Sequence, residues 1–397
     1  MTQTPIGIGI VGSGFLAATR ARCYAKIGSS LATIRGVCSG RRDNAEKYAR
    51  EYGVPEVFAS LEEMLASPQI DMVDLCVPNL LHRSMAEQSA AAGKHVACTK
   101  PLSAYVGQDL GDDPAEEAVS ATDRATMMKI AIDDAQAMVD AARANDVQLM
   151  YGENWVYAPA IVRAERLIAA SRGAILEMRG WEGHNGSHSP YSKIWKYAGG
   201  GALLRLGAHP LGAMLHLKRV EGRARNGAPI RPVAVTAEVA DLTASSPVDG
   251  AQMRVATGWK DVENWGCAIV QFEDGTRGTA YGSDNMLGGM ESKLEVHASN
   301  HHLKCNLSPH DLLRAYAPDA EVFGDEYIME KIDSGAGWST PLPAEDWASG
   351  QLPMIEDFVR AVAEGRPARS DGELGREVTE LVYAAYLSAA EGRRVTL

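Results

Sequence analysis

The chain has 397 residues, 46% of them hydrophobic and 23% charged, which is enough for more than one buried core. A formal charge of -12 excludes nucleic acid or an anionic membrane surface as the main partner, because neither attracts net negative charge. No uncharged apolar run reaches the ~18 residues of a membrane helix and no basic-then-apolar leader opens the chain. The six cysteines are scattered without a CxxC pair, so reduced thiols, no metal site and a cytoplasmic location are expected.

Strand and helix alternate through the first half. "IGIGIV" (6–11) is an apolar strand, and "GSGFLAATRARCYAKIG" a turn followed by a helix. "LATIRGVCS" (31–39) is a second strand and "DNAEKYAREYG" a helix that stops at Gly53. "SLEEML" (60–65) carries Ser60 and Glu63 at capping-box spacing. "DMVDLCVP" (71–78), "KHVACT" and "VQLMYG" are further strands, separated by the helices "LLHRSMAEQSAAAG" and "DDAQAMVDAARAND". Such alternation predicts a parallel sheet with helices on both faces. Residues 103–130 are long and acidic for a connection. They read either as a solvated surface insertion or as a lid or subunit arm.

From Glu153 the texture changes. "AILEMRGWEG", "PVAVTAEVADLT", "GCAIVQFEDGTRGTAYGS" and "SKLEVHASNHHLKCNL" are strand-like, with "EDGT" (273–276) as a hairpin turn. "MIEDFVRAVAEG" and "LGREVTELVYAAYLSAAEGRR" are closing helices. The expected fold is an α/β Rossmann nucleotide-binding domain over 1–152, with the insertion at 103–130. An α+β domain with a large, mainly antiparallel open sheet follows over 153–397.

Gly12, Gly14 and Ala17 stand in GxGxxA spacing between the first strand and its helix, with Phe15 and Leu16 opening that helix. A glycine at the turn, another where backbone meets pyrophosphate and a small residue at the helix–sheet contact make a dinucleotide site. The second strand ends at Ser39, with Arg41 and Arg42 after it and no carboxylate for a ribose 2′-hydroxyl. The arginines suit a 2′-phosphate and the serine a plain ribose, so the cofactor is NAD or NADP. "VPNLLH" places Pro78, Asn79 and His82 at the next strand end, where ligands gather in doubly wound sheets. Lys100 follows the strand after it, restricted by Pro101 in a candidate cis junction.

"GGGALLRLGAHPLG" (199–212) sets Arg205 in an apolar run. A buried guanidinium needs an anion, and a helix would put His209 on the same face. The anion is a protein carboxylate such as Glu153 or Glu182, or it belongs to the substrate; lost activity is the third reading. The segment 180–201 brings His184, His188, Lys193 and Trp195 just ahead of the arginine, with Tyr157 further upstream, as candidates for an anionic sugar.

Together the GxGxxA turn, "PNLLH", "KP", "GENWVYAPA", "GGGALLRLGAH" and "EDFVRAVAEGRPARSDGELG" resemble the glucose–fructose oxidoreductase / inositol dehydrogenase (Gfo/Idh/MocA) family along nearly the whole chain. The resemblance implies hydride transfer between a nicotinamide and a sugar or polyol, sheet-mediated homodimers or homotetramers, and Lys100 and His209 in the site. Two positions depart from the family pattern: Thr99 replaces the Glu of Glu-Lys-Pro, and Arg205 replaces the Asp of Asp-x-x-x-His. His209 is then the general base and Lys100 a hydrogen-bond donor to the reacting oxygen. The expected substrate is an anionic pyranoside oxidised at C3, with a redox-neutral NAD-dependent glycosidase acting on a sulfoquinovoside-like glycoside as the leading outcome. The alternatives are a net NAD(P)-dependent sugar or sugar-acid dehydrogenase, and a non-catalytic NAD(P) sensor.

Overall fold

The computed structural model describes residues 4–187, 189–245, 250–308, 312–332 and 334–397. The chain forms two compact units, one comprising Met1–Ala104, Lys129–Tyr157 and Gly350–Thr379, the other Tyr105–Met128, Ala158–Ser349 and Glu380–Leu397. These differ from a division at residue 152 in three places. Residues 105–128 pack within the second unit, and 153–157 and 350–379 within the first.

The first unit is built on six parallel strands: β1 (Ile6–Val11), β2 (Ala32–Cys38), β3 (Glu56–Val57), β4 (Met72–Leu75), β5 (His95–Thr99) and β6 (Leu149–Gly152). Their order is β3-β2-β1-β4-β5-β6, so the strand order reverses between β1 and β4, the point at whose carboxyl ends doubly wound sheets bind their ligands. The apolar runs become its core: Ile8, Ile10, Val37, Met72, Val73 and Leu75 are wholly buried. Asp74 interrupts the run of β4 and is buried too. Arg20 answers it at 3.4 Å and the Tyr24 hydroxyl donates to it at 3.0 Å. Ser60 caps its helix through the Glu63 N–H at 3.2 Å, and Gly53 ends the preceding helix at φ 67°, a left-handed conformation suited to glycine. The helix Gln351–Glu364 turns Met354, Ile355, Phe358 and Val359 inwards and packs on the helix Phe15–Ile27 and on β1. Gln351 accepts a hydrogen bond from Arg20 Nη1 at 2.9 Å.

The second unit is built on a seven-stranded sheet of β7 (Ile175–Gly183), β8 (Pro232–Ala240), β9 (Trp265–Phe272), β10 (Arg277–Ser283), β11 (Glu291–Ala298), β12 (His302–Asn306) and, after a separate short hairpin of β13 (Ala315–Ala317) and β14 (Gly337–Ser339), β15 (Val395–Thr396). The sheet order is β12-β11-β7-β10-β9-β8-β15. All neighbours are antiparallel except β7 and β10, which run parallel. That pair is joined by a long crossover through the helix Ala208–Asn226, which is what a parallel connection needs. "EDGT" makes the expected hairpin turn between β9 and β10.

One row across this sheet explains the glycine-rich run. Register aligns Val239, Gly266, Gly282, Glu182 and Ser292. A Cβ on Gly282 would stand 2.3 Å from the carbonyl oxygen of Ala202, and one on Gly266 would stand 2.8 Å from Leu203 Cβ. Bare backbone at these points lets the π-helical turn Leu203–Gly207 lie on the sheet.

The segment 105–128 is neither a solvated loop throughout nor free of its surroundings. Tyr105 and Val119 are wholly buried. The Tyr105 N–H donates to the Tyr383 hydroxyl at 2.6 Å, and its carbonyl accepts from Trp195 Nε1 at 3.1 Å. Asp113 pairs with Lys196, and Lys260 binds Glu116 and Glu117 at 2.7 and 2.8 Å. The segment is a strap fastened along the second unit.

Candidate functional site

In the first unit the site lies at the strand ends. Gly12 has φ 108°, and a Cβ there would sit 2.2 Å from the carbonyl oxygen of Cys76, so only glycine makes this turn. Gly14 begins the helix Phe15–Ile27 without a side-chain cap, and nothing lies within 4 Å of where its Cβ would be. Ala17 is wholly buried. Open space over uncapped N–H donors is what a pyrophosphate fits. Phe15 is 76% exposed beside it. The Ser39 hydroxyl lies 2.9 Å from that of Ser13. Arg42 pairs with Glu46 on the surface at 3.0 Å, and Arg41 reaches the Asn44 amide when that amide's oxygen is turned towards it.

Pro78 and Asn79 lie in the turn after β4, and Lys100 follows β5. His82 departs from the expected role. It is buried, with Nδ1 3.0 Å from the Pro101 carbonyl and Nε2 3.0 Å from the Val77 carbonyl. It ties the β4 turn to the Lys100–Pro101 turn rather than facing a cofactor, and burial holds its pKa below the usual histidine value against the pull of those carbonyls. The Lys100–Pro101 peptide is cis. Tyr157 also departs from its assignment to the substrate. It is a core residue whose hydroxyl accepts from the Ser370 N–H at 2.9 Å and whose ring meets Phe358 edge-on at 5.8 Å.

In the second unit the site gathers around the π-helical turn. Four successive N–H groups there need partners, and Glu263 with Tyr386 supplies them. Gly201 and Leu203 donate to the Glu263 carboxylate at 3.1 and 2.9 Å. Ala202 donates to the Glu263 carbonyl at 3.0 Å, and Leu204 to the Tyr386 hydroxyl at 3.2 Å. Burial pushes the Glu263 carboxyl up from its ordinary pKa, and these donors oppose it. The result is a stiff turn that carries Arg205; π-helical turns of this kind are frequent at functional sites.

Arg205 pairs with the carboxylate of Asp284. Nη1 donates to Oδ1 at 3.3 Å and Nη2 pairs with Oδ2. The guanidinium also lies 5.2 Å from the centre of the Trp259 ring. Asp284 is fully buried, whereas 15% of the arginine side chain stays exposed. His184 Nδ1 sits 3.6 Å from Asp284 Oδ1 and accepts the Gly186 N–H at 2.9 Å, so its neutral form carries the proton on Nε2. His209 stands in the first turn of the next helix, buried, with Nε2 3.8 Å from Glu182 Oε1.

Lys193 lies near Trp259 at 5.5 Å and donates to the Thr257 carbonyl. Trp195, expected against a sugar face, is instead core. Its ring lies 5.0 Å from that of Tyr386, tilted by 60°, and under the Arg124 guanidinium at 4.1 Å. His188 lies outside the described residues. Lys331, which sequence reading passed over, donates to the Gly186 carbonyl at 3.0 Å. Burial lowers its pKa, with Asp284 opposing and Arg205 reinforcing the effect. Asp284 and Lys331 carry no local motif; only the alternation of β10 hints that the residue just past it turns inward. Among the described residues, Glu295, His297 and His302 hold donor atoms within 4.8 Å of one another on the sheet, and Glu295 also faces Lys304 at 3.6 Å.

Residues 6–120 match the model of the GFO/IDH/MocA oxidoreductase family with NAD-binding Rossmann fold, and residues 161–304 match that family's C-terminal domain. The chain is 25% identical to levoglucosan dehydrogenase of Pseudarthrobacter phenanthrenivorans over 92% of both sequences. It is 23% identical to D-xylose 1-dehydrogenase (NADP(+)) 2 of Haloferax volcanii over 91% of both. Among solved structures it is similar to GenD2 from gentamicin A biosynthesis in complex with NAD, at a TM-score of 0.79 and 26% identity, covering 100% of this chain and 97% of that one.

Proposed function

This chain belongs to the Gfo/Idh/MocA family of NAD-binding oxidoreductases, and on that premise we propose that it dehydrogenates a secondary hydroxyl of a sugar. The observation that carries the reading is the buried His209 beside a carboxylate, at the end of a sheet row cleared by two glycines. Levoglucosan and D-xylose dehydrogenases among its relatives support a sugar as the substrate class. His209 takes the hydroxyl proton, its ordinary pKa being the side-chain value nearest neutrality. Lys100 donates a hydrogen bond to the same oxygen. Gly12, Gly14 and the N–H groups that open the helix Phe15–Ile27 hold the cofactor's phosphates. When bound, the nicotinamide cofactor would supply the hydride acceptor for the carbinol carbon. Asp284 neutralises Arg205, so the site does not depend on an anionic sugar for charge balance.

A second reading keeps the anionic glycoside and the redox-neutral glycosidase. In its favour, Arg205 and Lys331 are two cations that both interact with Asp284, and the arginine side chain is the less buried member of its ion pair. Assembly into homodimers or homotetramers through the second unit's open sheet is part of the same proposal. The test is a panel of levoglucosan, D-xylose, a methyl glucoside and the matching uronate and 6-sulfonate, followed by cofactor reduction and aglycone release. Reduction with the neutral sugars supports the dehydrogenase. Aglycone release without net reduction, confined to charged sugars, replaces it with the glycosidase.

A further inference from the structure

The family's carboxylate is missing from the slot four residues before His209, yet a carboxylate still reaches that histidine, from the sheet instead of the helix. We propose that Glu182 is a positioning residue for His209, holding the imidazole from Nε2 and raising its basicity. The proposal rests on the reading of His209 as the base.

Met178, Gly180 and Glu182 alternate onto the face of β7 that the helix Ala208–Asn226 covers. A Cβ on Gly180 would touch Pro210 at 2.7 Å, which brings the helix start down onto this strand. Ser292, the register partner of Glu182 on β11, donates its hydroxyl to Oε2 at 3.2 Å. That bond orients the carboxylate and turns Oε1 towards His209 Nε2 at 3.8 Å. Glu182 and His209 are 6% and 5% exposed, so water screens the pair weakly.

The other charged groups on the packed elements have partners of their own or are exposed. Arg205 and Asp284 neutralise each other, and His184 is engaged by the Gly186 N–H. β9 has no charged residue, and Arg277, the charged residue of β10, is exposed at its start. Glu177 and Arg179 of β7 pair with each other at 2.7 Å on the opposite face. On the helix Pro159–Ser171, Glu165 faces His216 at 3.2 Å while Arg163 and Arg166 are exposed. When His209 accepts the substrate proton, the imidazolium forms beside the Glu182 carboxylate.

The test reads the imidazole directly and needs no substrate: an NMR titration of His209 in the full chain, with and without Glu182→Gln. The expected result is a midpoint lower by about one pH unit, a tenfold loss of proton affinity. Glu182→Asp should recover part of it, and Ser292→Ala should give a smaller fall in the same direction. An unchanged midpoint in folded Glu182→Gln overturns the proposal. If that variant does not fold, an unchanged midpoint in Ser292→Ala does so. Failure of the wider reading looks different: His209→Asn would keep its sugar turnover while the Glu182 effect on the midpoint remained.

Discussion

Arg205 and Asp284 form a two-pronged ion pair in which the carboxylate is completely buried and the arginine side chain is 15% exposed. The anion an apolar arginine requires is thus supplied from within the fold, 79 residues along the chain. Breaking such a pair strands a buried charge. Arg205→Met should therefore lower unfolding stability by about 3–5 kcal/mol, whereas Arg205→Met with Asp284→Leu should recover most of that loss. Urea denaturation of the single and double variants measures both. A single variant as stable as the parent would mean that Asp284 is not held by this arginine.

Two glycines two residues apart make opposite predictions. Gly14→Val enters open space at an ordinary backbone angle, so the protein should stay folded while calorimetry finds NAD binding lost. Gly12→Ala instead drives a Cβ to 2.2 Å from the Cys76 carbonyl oxygen at φ 108°, so it should destabilise the fold itself. Undiminished NAD affinity in Gly14→Val would remove the pyrophosphate from this turn.

The end of β2 decides between cofactors. Arg41 and Arg42 have only weak surface partners, Asn44 and Glu46, from which a 2′-phosphate can draw them. If they read that phosphate, replacing both with alanine should weaken NADP relative to NAD by about 1.5–3 kcal/mol. Equal titration curves for the two cofactors before and after would assign the site to NAD through Ser39.

His82 links stability to pH. Its folded pKa is depressed by burial, so below about pH 6.5 the unfolded chain binds a proton that the native chain does not. The contribution is present above the unfolded value and is lost as pH falls from there through the lower folded value. His82→Asn should flatten that part of the stability profile in chemical denaturation. His95 is depressed in the same direction and stays in both proteins, so the difference between the two profiles isolates His82.

Trp195 tests packing against recognition. As a buried residue bonded to the strap through Tyr105, Trp195→Ala should cost about 3–5 kcal/mol of stability. Lys260→Ala, which removes only exposed ion pairs to Glu116 and Glu117, should scarcely move the melting curve. Comparable losses in the two would show that the strap is held by charge rather than by its aromatic anchor.

The parallel sheet was legible because each buried strand is a short apolar run and each helix carries its own stop, as at Gly53. The GxGxxA turn was legible because its chemistry is local: a tight backbone, an open approach and a small contact. What local sequence does not carry is partnership across the fold. Asp284, Glu263 and Tyr386 reach the turn at 201–205 only after the second sheet has formed, and no spacing announces them. Trp195 ahead of the arginine, Tyr157 in "GENWVYAPA" and His82 after β4 read as ligand-facing, yet Trp195 and Tyr157 are core residues and His82 fastens one turn to the next. The parallel β7–β10 pair was hidden for the same reason: strand texture gives alternation, not direction.

The helix Gln351–Glu364 has a consequence for how the protein is made. It covers the helix Phe15–Ile27, yet the ribosome delivers it long after β6 has emerged. At roughly 5–20 residues per second, about 10–40 s separate the two events. During that interval the nascent dinucleotide sheet exposes the apolar surface that Met354, Ile355, Phe358 and Val359 later seal. Its completion is therefore a late event of synthesis, and a fragment ending at residue 152 would be released with that surface uncovered, ready to aggregate or to recruit a chaperone.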